Sequence, residues 1–252
     1  MEIQKLLYKL VEDSCCIFKE NLIGIYLHGS IAMECFNPMK IDLDILFVVE
    51  NQITDFQKKK FMDVIVALND IAPAKGIEMS LVRSKYCKNF TYPTTFDLHF
   101  SNMHLNWYKS NPIEYIEKMN GTDHDLAAQF LITKNRGIVL YGKPINDVFG
   151  EIPSEAYLDS IKRDIASSQD EVIENSIYII LNLCRVLAYV QDGLVLSKKE
   201  GGEWGIKNID SKYKELIKEA LACYTSDKNI VFNKSLALDY CKYMEKKIGV
   251  RE

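Results

Sequence analysis

The sequence predicts an α+β protein, with strands and helices together in residues 1–153 and helices alone in 154–252. Three observations predict it. Ile41 to Val49 is the clearest strand of the chain, an apolar run rich in β-branched residues and interrupted only by two aspartates. Shorter β-like stretches near 21–28 and 77–83 alternate with segments of helical spacing. From about Ser154 the spacing is helical nearly throughout. At 252 residues the chain has room for one or two domains, taking about 150 residues per domain.

In chain order, Ile3, Leu6, Leu7, Leu10 and Val11 recur at helical spacing and predict a helix over 2–20. Asn21 to His28 turns β-like, with Ile23, Ile25 and Leu27 alternating. Gly29-Ser30 follows, a short helical stretch opens near Ile31, and Asn37-Pro38 ends it. After the strand at 41–49, residues 54–71 read as a helix and Ile77 to Arg83 as a further short strand. Residues 123–140 read as a helix with Asp123 at its N-cap. Helices are then expected over 155–168, 170–191, 211–225 and 230–248, separated by Asp192-Gly193 and by the Gly201-Gly202 pair. No internal repeat and no low-complexity linker divides the chain.

Composition excludes several classes. Apolar residues at 48% and charged residues at 26% match a globular average, which rules out disorder and collagen-like repeats. No apolar run reaches the ~18 residues of a membrane span, so no membrane partner is expected. The opening Met1-Glu2-Ile3-Gln4-Lys5 lacks the basic-then-apolar pattern of a secretory signal, so a cytoplasmic location is expected. A net charge of −4 argues against a nucleic-acid partner, because phosphate-backbone binders are usually basic. The seven cysteines form no C-x-x-C pair and read as reduced, buried thiols. No histidine pair has zinc-site spacing with cysteine.

The most informative stretch is His28-Gly29-Ser30 followed by Asp42-Leu43-Asp44. Alternate residues of a strand share a face, so Asp42 and Asp44 project together about 7 Å apart, while Ile41, Leu43, Ile45 and Phe47 take the opposite face as core. Two like charges so placed call for a cation, and Mg2+ takes carboxylate and water oxygens together with substrate phosphates. Gly29 lets the backbone approach a phosphate, and the helix start and the Ser30 hydroxyl offer donors to it. Either signal alone reads as an ordinary solvated strand or turn. Together, a phosphate cradle and paired carboxylates point to metal-assisted phosphoryl or nucleotidyl chemistry.

These residues resemble the polymerase-β-type nucleotidyltransferase superfamily. Within it, the chain from about residue 20 to 245 resembles the aminoglycoside adenylyltransferases that act on streptomycin and spectinomycin. The loop between serine and first aspartate is one residue longer here than in the family. The resemblance implies an N-terminal nucleotidyltransferase domain (1–153), with a small mixed sheet flanked by helices, and a C-terminal helical bundle (154–252). It implies ATP as co-substrate and one or two Mg2+ ions held by Asp42, Asp44 and Glu78, and a monomer is expected. Glu78, in Gly76-Ile77-Glu78-Met79-Ser80-Leu81-Val82, stands where the family has its catalytic base, which suits a carboxylate that takes a proton from an attacking hydroxyl. Asp97 is the other acidic candidate and ranks as structural.

Further family positions fall on Asp125, in Asp123-His124-Asp125-Leu126-Ala127, and on Arg185, in Leu181-Asn182-Leu183-Cys184-Arg185. Counting on from Arg185, Lys198, Trp204, Tyr213 and Tyr224 keep family spacing without a gap. The resemblance implies nucleotide contacts for Gly29, Ser30, Asp125, Arg185, Lys198 and Tyr224, with Lys199 a rival for Lys198. Trp204 reads as helix packing.

The substrate side diverges. Where streptomycin-binding members have a tryptophan and an aspartate before the arginine, this chain has Ala166 and Glu171, and Asn175-Ser176-Ile177-Tyr178 replaces an Asp-Glu-Arg-Asn segment. Glu171, Asn175 and Tyr178 are the expected acceptor-binding residues, with spectinomycin favoured and streptomycin possible. Glu78, Asp97, Glu171 and Glu174 would give a cationic aminocyclitol an acidic lining. The implied reaction places MgATP between the two halves and transfers AMP to a hydroxyl of the drug with release of pyrophosphate. The rival readings are the same fold acting on another hydroxyl (a lincosamide, another small molecule or a protein side chain) or a non-catalytic nucleotide-binding relative.

Overall fold

The apolar run that follows Asp44 becomes the central strand of a five-stranded sheet. A computed structural model of the chain describes residues 2–35, 42–226, 228 and 230–250. The expected break at Asn37-Pro38 and the strand start at Ile41 lie outside the described residues. The chain forms two compact units, Met1–Tyr157 and Leu158–Glu252.

The first unit carries α1 (Glu2–Phe18), β1 (Leu22–Leu27), α2 (Gly29–Ala32), β2 (Leu43–Val49), α3 (Asp55–Asn69), β3 (Ile77–Arg83), α4 (Ser84–Lys88), β4 (Thr94–Phe96), β5 (Leu98–Phe100), α5 (Leu105–Ser110), α6 (Pro112–Lys118), β6 (Gly121–Asp123), α7 (Leu126–Arg136), β7 (Ile138–Gly142) and α8 (Ile145–Val148). The sheet order is β5-β3-β2-β1-β7. β2 and β3 are parallel and the other neighbours antiparallel, so the sheet is mixed. A parallel pair needs a long crossover, and α3 supplies it. Thr54 starts that helix with a capping box, its hydroxyl accepting the Gln57 N–H while the Gln57 side chain accepts the Thr54 N–H.

Strand alternation divides the core between the two sheet faces. On one face Ile25, Leu43, Ile45, Phe47, Ile77, Met79 and Leu81 pack against Leu6 and Leu10 of α1 and Phe61 and Ile65 of α3. On the other, Tyr26, Leu46, Val48 and Val82 pack against Leu126 and Phe130 of α7. Asp44 and Glu78 belong to this second face, at the end where the apolar stripe has not yet begun.

Several expected elements change. The segment 123–140 is not one helix: Asp123 ends β6, α7 spans Leu126–Arg136, and the chain leaves it at the extended Gly137 to form β7. The β-branched Ile138-Val139 pair prefers the sheet edge, where it pairs with β1. β4, β5 and β6 are three residues each, too short for alternation to reveal.

The helical part comprises α9 (Ser154–Arg163), in which the division between the units falls, then α10 (Ser168–Glu171), α11 (Ser176–Asp192), α12 (Lys198–Asn208), α13 (Lys214–Thr225) and α14 (Lys234–Ile248). The helix expected over 170–191 is interrupted at 172–175, and α14 starts at Lys234, where Asn233 caps it, rather than at 230. The largest correction concerns Gly201-Gly202. This pair lies inside α12, initiated by Ser197 and Glu200 as a capping box. A Cβ on Gly201 would stand 2.6 Å from Arg185 Cγ, one on Gly202 2.8 Å from Leu181 Cδ2, and one on Gly205 2.6 Å from Cys184 Sγ. The glycines are there so that α12 can lie close on α11.

All seven cysteines are free. Four are buried, but Cys16 is exposed and Cys15 and Cys35 half-buried, so burial does not extend to all seven as expected. Among the described residues no helix is long and apolar enough to cross a membrane.

Gly205→Val tests the α11–α12 contact. Forcing a branched side chain against buried Cys184 is expected to cost about 1–3 kcal/mol, more than the few tenths that losing a helix-interior glycine returns. Urea denaturation of the full chain checks this, and a midpoint at or above that of the wild type contradicts it.

Candidate active site

The site grows from one register. In the parallel ladder Leu43 stands opposite Ile77 and Asp44 opposite Glu78, and the Leu43 N–H donates to the Gly76 carbonyl at 3.0 Å. Asp42 directly precedes β2. Asp42, Asp44 and Glu78 each offer a carboxylate oxygen, and these oxygens lie within 4.8 Å of one another at half-buried positions.

β1 brings the Gly-Ser turn to the same place. The His28 N–H donates to the Asp44 carbonyl at 3.0 Å, and α2 opens directly after it. Gly29 has φ +63°, and a Cβ there would stand 1.8 Å from Asp44 Oδ2. Glycine is therefore required twice, by the left-handed backbone and by the carboxylate above it. The next residue, Ser30, has a buried hydroxyl oxygen with no hydrogen-bond partner among the described residues. A buried orphan hydroxyl is costly unless a ligand satisfies it. The three oxygens suit a hard divalent cation such as Mg2+, and the Ser30 hydroxyl suits a phosphate oxygen beside it.

A cavity of about 350 Å³ adjoins the carboxylates. Asp42 and Glu78 line it with Lys75, Ser101, Asn102 and Met103. Lys75 stands just before β3, and Ser101, Asn102 and Met103, which follow β5 where the family's G-E-W segment has diverged, reach the site because β5 lies beside β3. Ser80 and His99, paired across that same ladder at 3.0 Å, were silent in the sequence. Asp97 is 5% exposed and ion-paired to Arg83 at 3.1 Å. It is a structural ion pair, and the expected share of Asp97 in an acidic lining is withdrawn. Asp125 stands exposed at the N-cap of α7, where it accepts from Gln129 Nε2 at 2.8 Å and donates its N–H to Asp123.

In the helical unit Arg185 is half-buried on α11. Its Nε donates to the Leu196 carbonyl at 2.8 Å and its Nη1 to Asn182 Oδ1 at 2.9 Å. Lys198 opens α12, half-buried, with its ammonium 4.7 Å from the centre of the Tyr178 ring. Lys199 is exposed. Tyr224 is buried in α13. Trp204 is buried and donates to Asp192 at 2.7 Å. The three expected acceptor residues occupy three settings. Glu171 is exposed and accepts the Ser167 hydroxyl. Asn175 is exposed on the rim of a separate cavity of about 280 Å³ with Glu174, Ile230 and Phe232. Tyr178 lies beneath Lys198.

Residues 147–247 match the family model described as the aminoglycoside adenylyltransferase C-terminal domain. A spectinomycin 9-adenylyltransferase of Enterococcus faecalis is 24% identical over 242 residues, covering 91% of each chain. An aminoglycoside (3'') (9) adenylyltransferase of Rhizobium radiobacter is 19% identical over 193 residues, 74% of this chain and 70% of that one. Among solved structures, the spectinomycin adenyltransferase of Enterococcus with ATP and spectinomycin superposes with a TM-score of 0.84 at 20% identity, over 98% of this chain and 99% of that one. At that identity the likeness is one of fold, and it is the α+β fold expected, a mixed sheet with helices followed by helices alone.

Two predictions follow from the geometry. Gly29→Ala is expected to push the Asp44 carboxylate aside and weaken Mn2+ or Mg2+ binding about tenfold or more, read by titration calorimetry. Unchanged affinity contradicts it. The second concerns acid. Burial pushes the His28 imidazole down to about 3, and burial with His104 nearby pushes His99 down to about 4. The folded chain keeps both neutral while the unfolded chain protonates them near pH 6.5. Their stability contribution is complete above about 6.5 and is lost as pH falls toward 4, by up to about 1.4 kcal/mol per pH unit for each. The melting temperature should fall across that window, and less steeply in His99→Gln.

Proposed function

We infer that this chain, a member of the aminoglycoside adenylyltransferase family through its 147–247 segment and its relatives of near full length, transfers AMP from ATP to a hydroxyl of an aminocyclitol or aminoglycoside antibiotic and releases pyrophosphate. The observation that carries the chemistry is the meeting of Asp42, Asp44 and Glu78 at the Gly29-Ser30 turn, where the buried Ser30 hydroxyl has no hydrogen-bond partner among the described residues. Spectinomycin is the favoured acceptor. Its support is Ala166 in place of the tryptophan of streptomycin-binding members, together with relatives named for spectinomycin. The net charge of −4 supports small-molecule substrates over nucleic acid.

The residues divide the work as follows. Gly29 and the first N–H groups of α2, with the Ser30 hydroxyl, receive the triphosphate. Asp42, Asp44 and Glu78 hold Mg2+, which when bound offsets charge on the α-phosphate and on the leaving pyrophosphate. Glu78 takes the proton of the acceptor hydroxyl. That oxygen forms its bond to the α-phosphorus as the bond to the bridging pyrophosphate oxygen breaks. Arg185 and Lys198 carry charge of the departing phosphates, and Asp125 and Tyr224 contact the nucleotide. Glu171, Asn175 and Tyr178 bind the acceptor by their family positions; the first two are exposed and Tyr178 lies beneath Lys198.

Pyrophosphate release from Mg2+ and ATP, with spectinomycin or streptomycin as acceptor, tests the reading. Release with spectinomycin is expected, and Glu78→Gln should lower kcat by about 10²–10⁴-fold while ATP still binds. Silence with both drugs, while ATP binds, sinks the proposed acceptor. Undiminished turnover in Glu78→Gln removes Glu78 from the role of base.

A further inference from the structure

In the helical unit a single carboxylate that none of these roles uses stands behind both basic side chains. Asp164 lies just beyond α9. It accepts the Tyr178 hydroxyl at 2.6 Å on one oxygen and the Asn182 amide on the other. Asn182 is 2% exposed, and its own carbonyl oxygen accepts Arg185 Nη1 at 2.9 Å. Tyr178 in turn presents its ring to the Lys198 ammonium at 4.7 Å. Tyr178, Asn182 and Arg185 are spaced i, i+4 and i+7, one stripe along α11.

We propose that Asp164 is a positioning residue for ATP, fixing Arg185 through Asn182 and Lys198 through Tyr178. This rests on the reading above that Arg185 and Lys198 bind the triphosphate. The physical reason lies in how each cation is held. With Nε on the Leu196 carbonyl and Nη1 on Asn182, two donors of the guanidinium fix its plane, and the rest of the fork remains for a bidentate anion contact. The flexible four-carbon stem of lysine gains a fixed seat on an aromatic face whose hydroxyl is itself tied down. The neutral Asn182 and Tyr178 act as spacers. A carboxylate bonded directly to either cation would neutralise it and compete with phosphate. Set one side chain back, Asp164 orients both through Asn182 and Tyr178 without bonding directly to either.

The test is MgATP binding to the full chain by equilibrium dialysis, with no acceptor present, on Asp164→Asn, Tyr178→Phe, Arg185→Ala/Lys198→Ala and the triple variant. Asp164→Asn is isosteric, and its melting curve is recorded alongside to show that it folds. Asp164→Asn is expected to weaken ATP about tenfold and Tyr178→Phe about threefold, each by loosening rather than removing a cation. In the Arg185→Ala/Lys198→Ala background Asp164→Asn should add nothing further, because its effect passes through those two residues. ATP affinity unchanged in Asp164→Asn while the double variant is weakened overturns this inference alone. An additive loss in the triple variant also overturns it, since Asp164 would then act by another route. Unchanged affinity in the double variant overturns the phosphate-binding reading itself, and the role of Asp164 with it.

Discussion

The parallel pairing of β2 with β3 is the constraint on which the candidate site depends. Its register sets Asp44 opposite Glu78, and a slip of one residue would turn one set of side chains to the wrong face. What fixes the register is apolar. Leu43, Ile45, Phe47, Ile77, Met79 and Leu81 are each at most 1% exposed on the face packed by α1 and α3. Each such side chain contributes about 1.5–3 kcal/mol by its burial. Two unit charges 4.8 Å apart repel by about 3.5 kcal/mol at an effective dielectric constant of about 20. Two or three of these core residues therefore offset one carboxylate pair. The core of one face holds acidic groups together on the other, ready for a cation to complete them.

The turn at Gly29 ties the two halves of the candidate chemistry into one rigid piece. The backbone approaches Asp44 so closely that no side chain fits between, and the neighbouring His28 N–H bonds the Asp44 carbonyl. The start of α2 is thus tied directly to Asp44. A phosphate bound at Ser30 would find its cation already in register. Such preorganisation is what electrostatic catalysis requires, since donors already in place need no reorganisation as charge develops.

The helical unit solves a related problem by different means. Gly201, Gly202 and Gly205 let α12 lie close on α11, over Leu181, Cys184 and Arg185. Arg185 and Lys198 come from these two helices, one from the middle of α11 and one from the first position of α12. Close packing sets where their backbones stand. The hydrogen bonds of Asn182 and Tyr178, both anchored on Asp164, set where their charged ends stand.

Local pattern sufficed for what depends on neighbours along the chain. Apolar patterning over 41–49 and 77–83 predicts two strands, found as β2 from Leu43 and β3, and alternation predicts Asp44 on one face with Asp42. The Gly-Ser turn before an Asp-x-Asp strand pointed to the proposed chemistry, because both parts lie close together along the chain. The family positions in the helical half were legible as spacing from Arg185. Local pattern failed where a partner from elsewhere decides the outcome. Ile138-Val139 could extend α7 or pair with β1, and only the open edge of β1 makes it a strand. Gly201-Gly202 reads as a break by propensity and is a helix interior because α11 lies against it. Asp97 ranks as structural, and only its added share in an acidic lining fails, because Arg83 reaches it from β3 in a buried ion pair. Asn102 joins Glu78 at one cavity, and Asp164 reaches two basic residues through two intermediaries, by contacts between segments that no periodicity connects. Sequence alone determined the central strands, the long helices and the acidic pair. Tertiary structure decided the third carboxylate's register and which polar groups face one another, because those depend on long-range packing rather than on the local period of the chain.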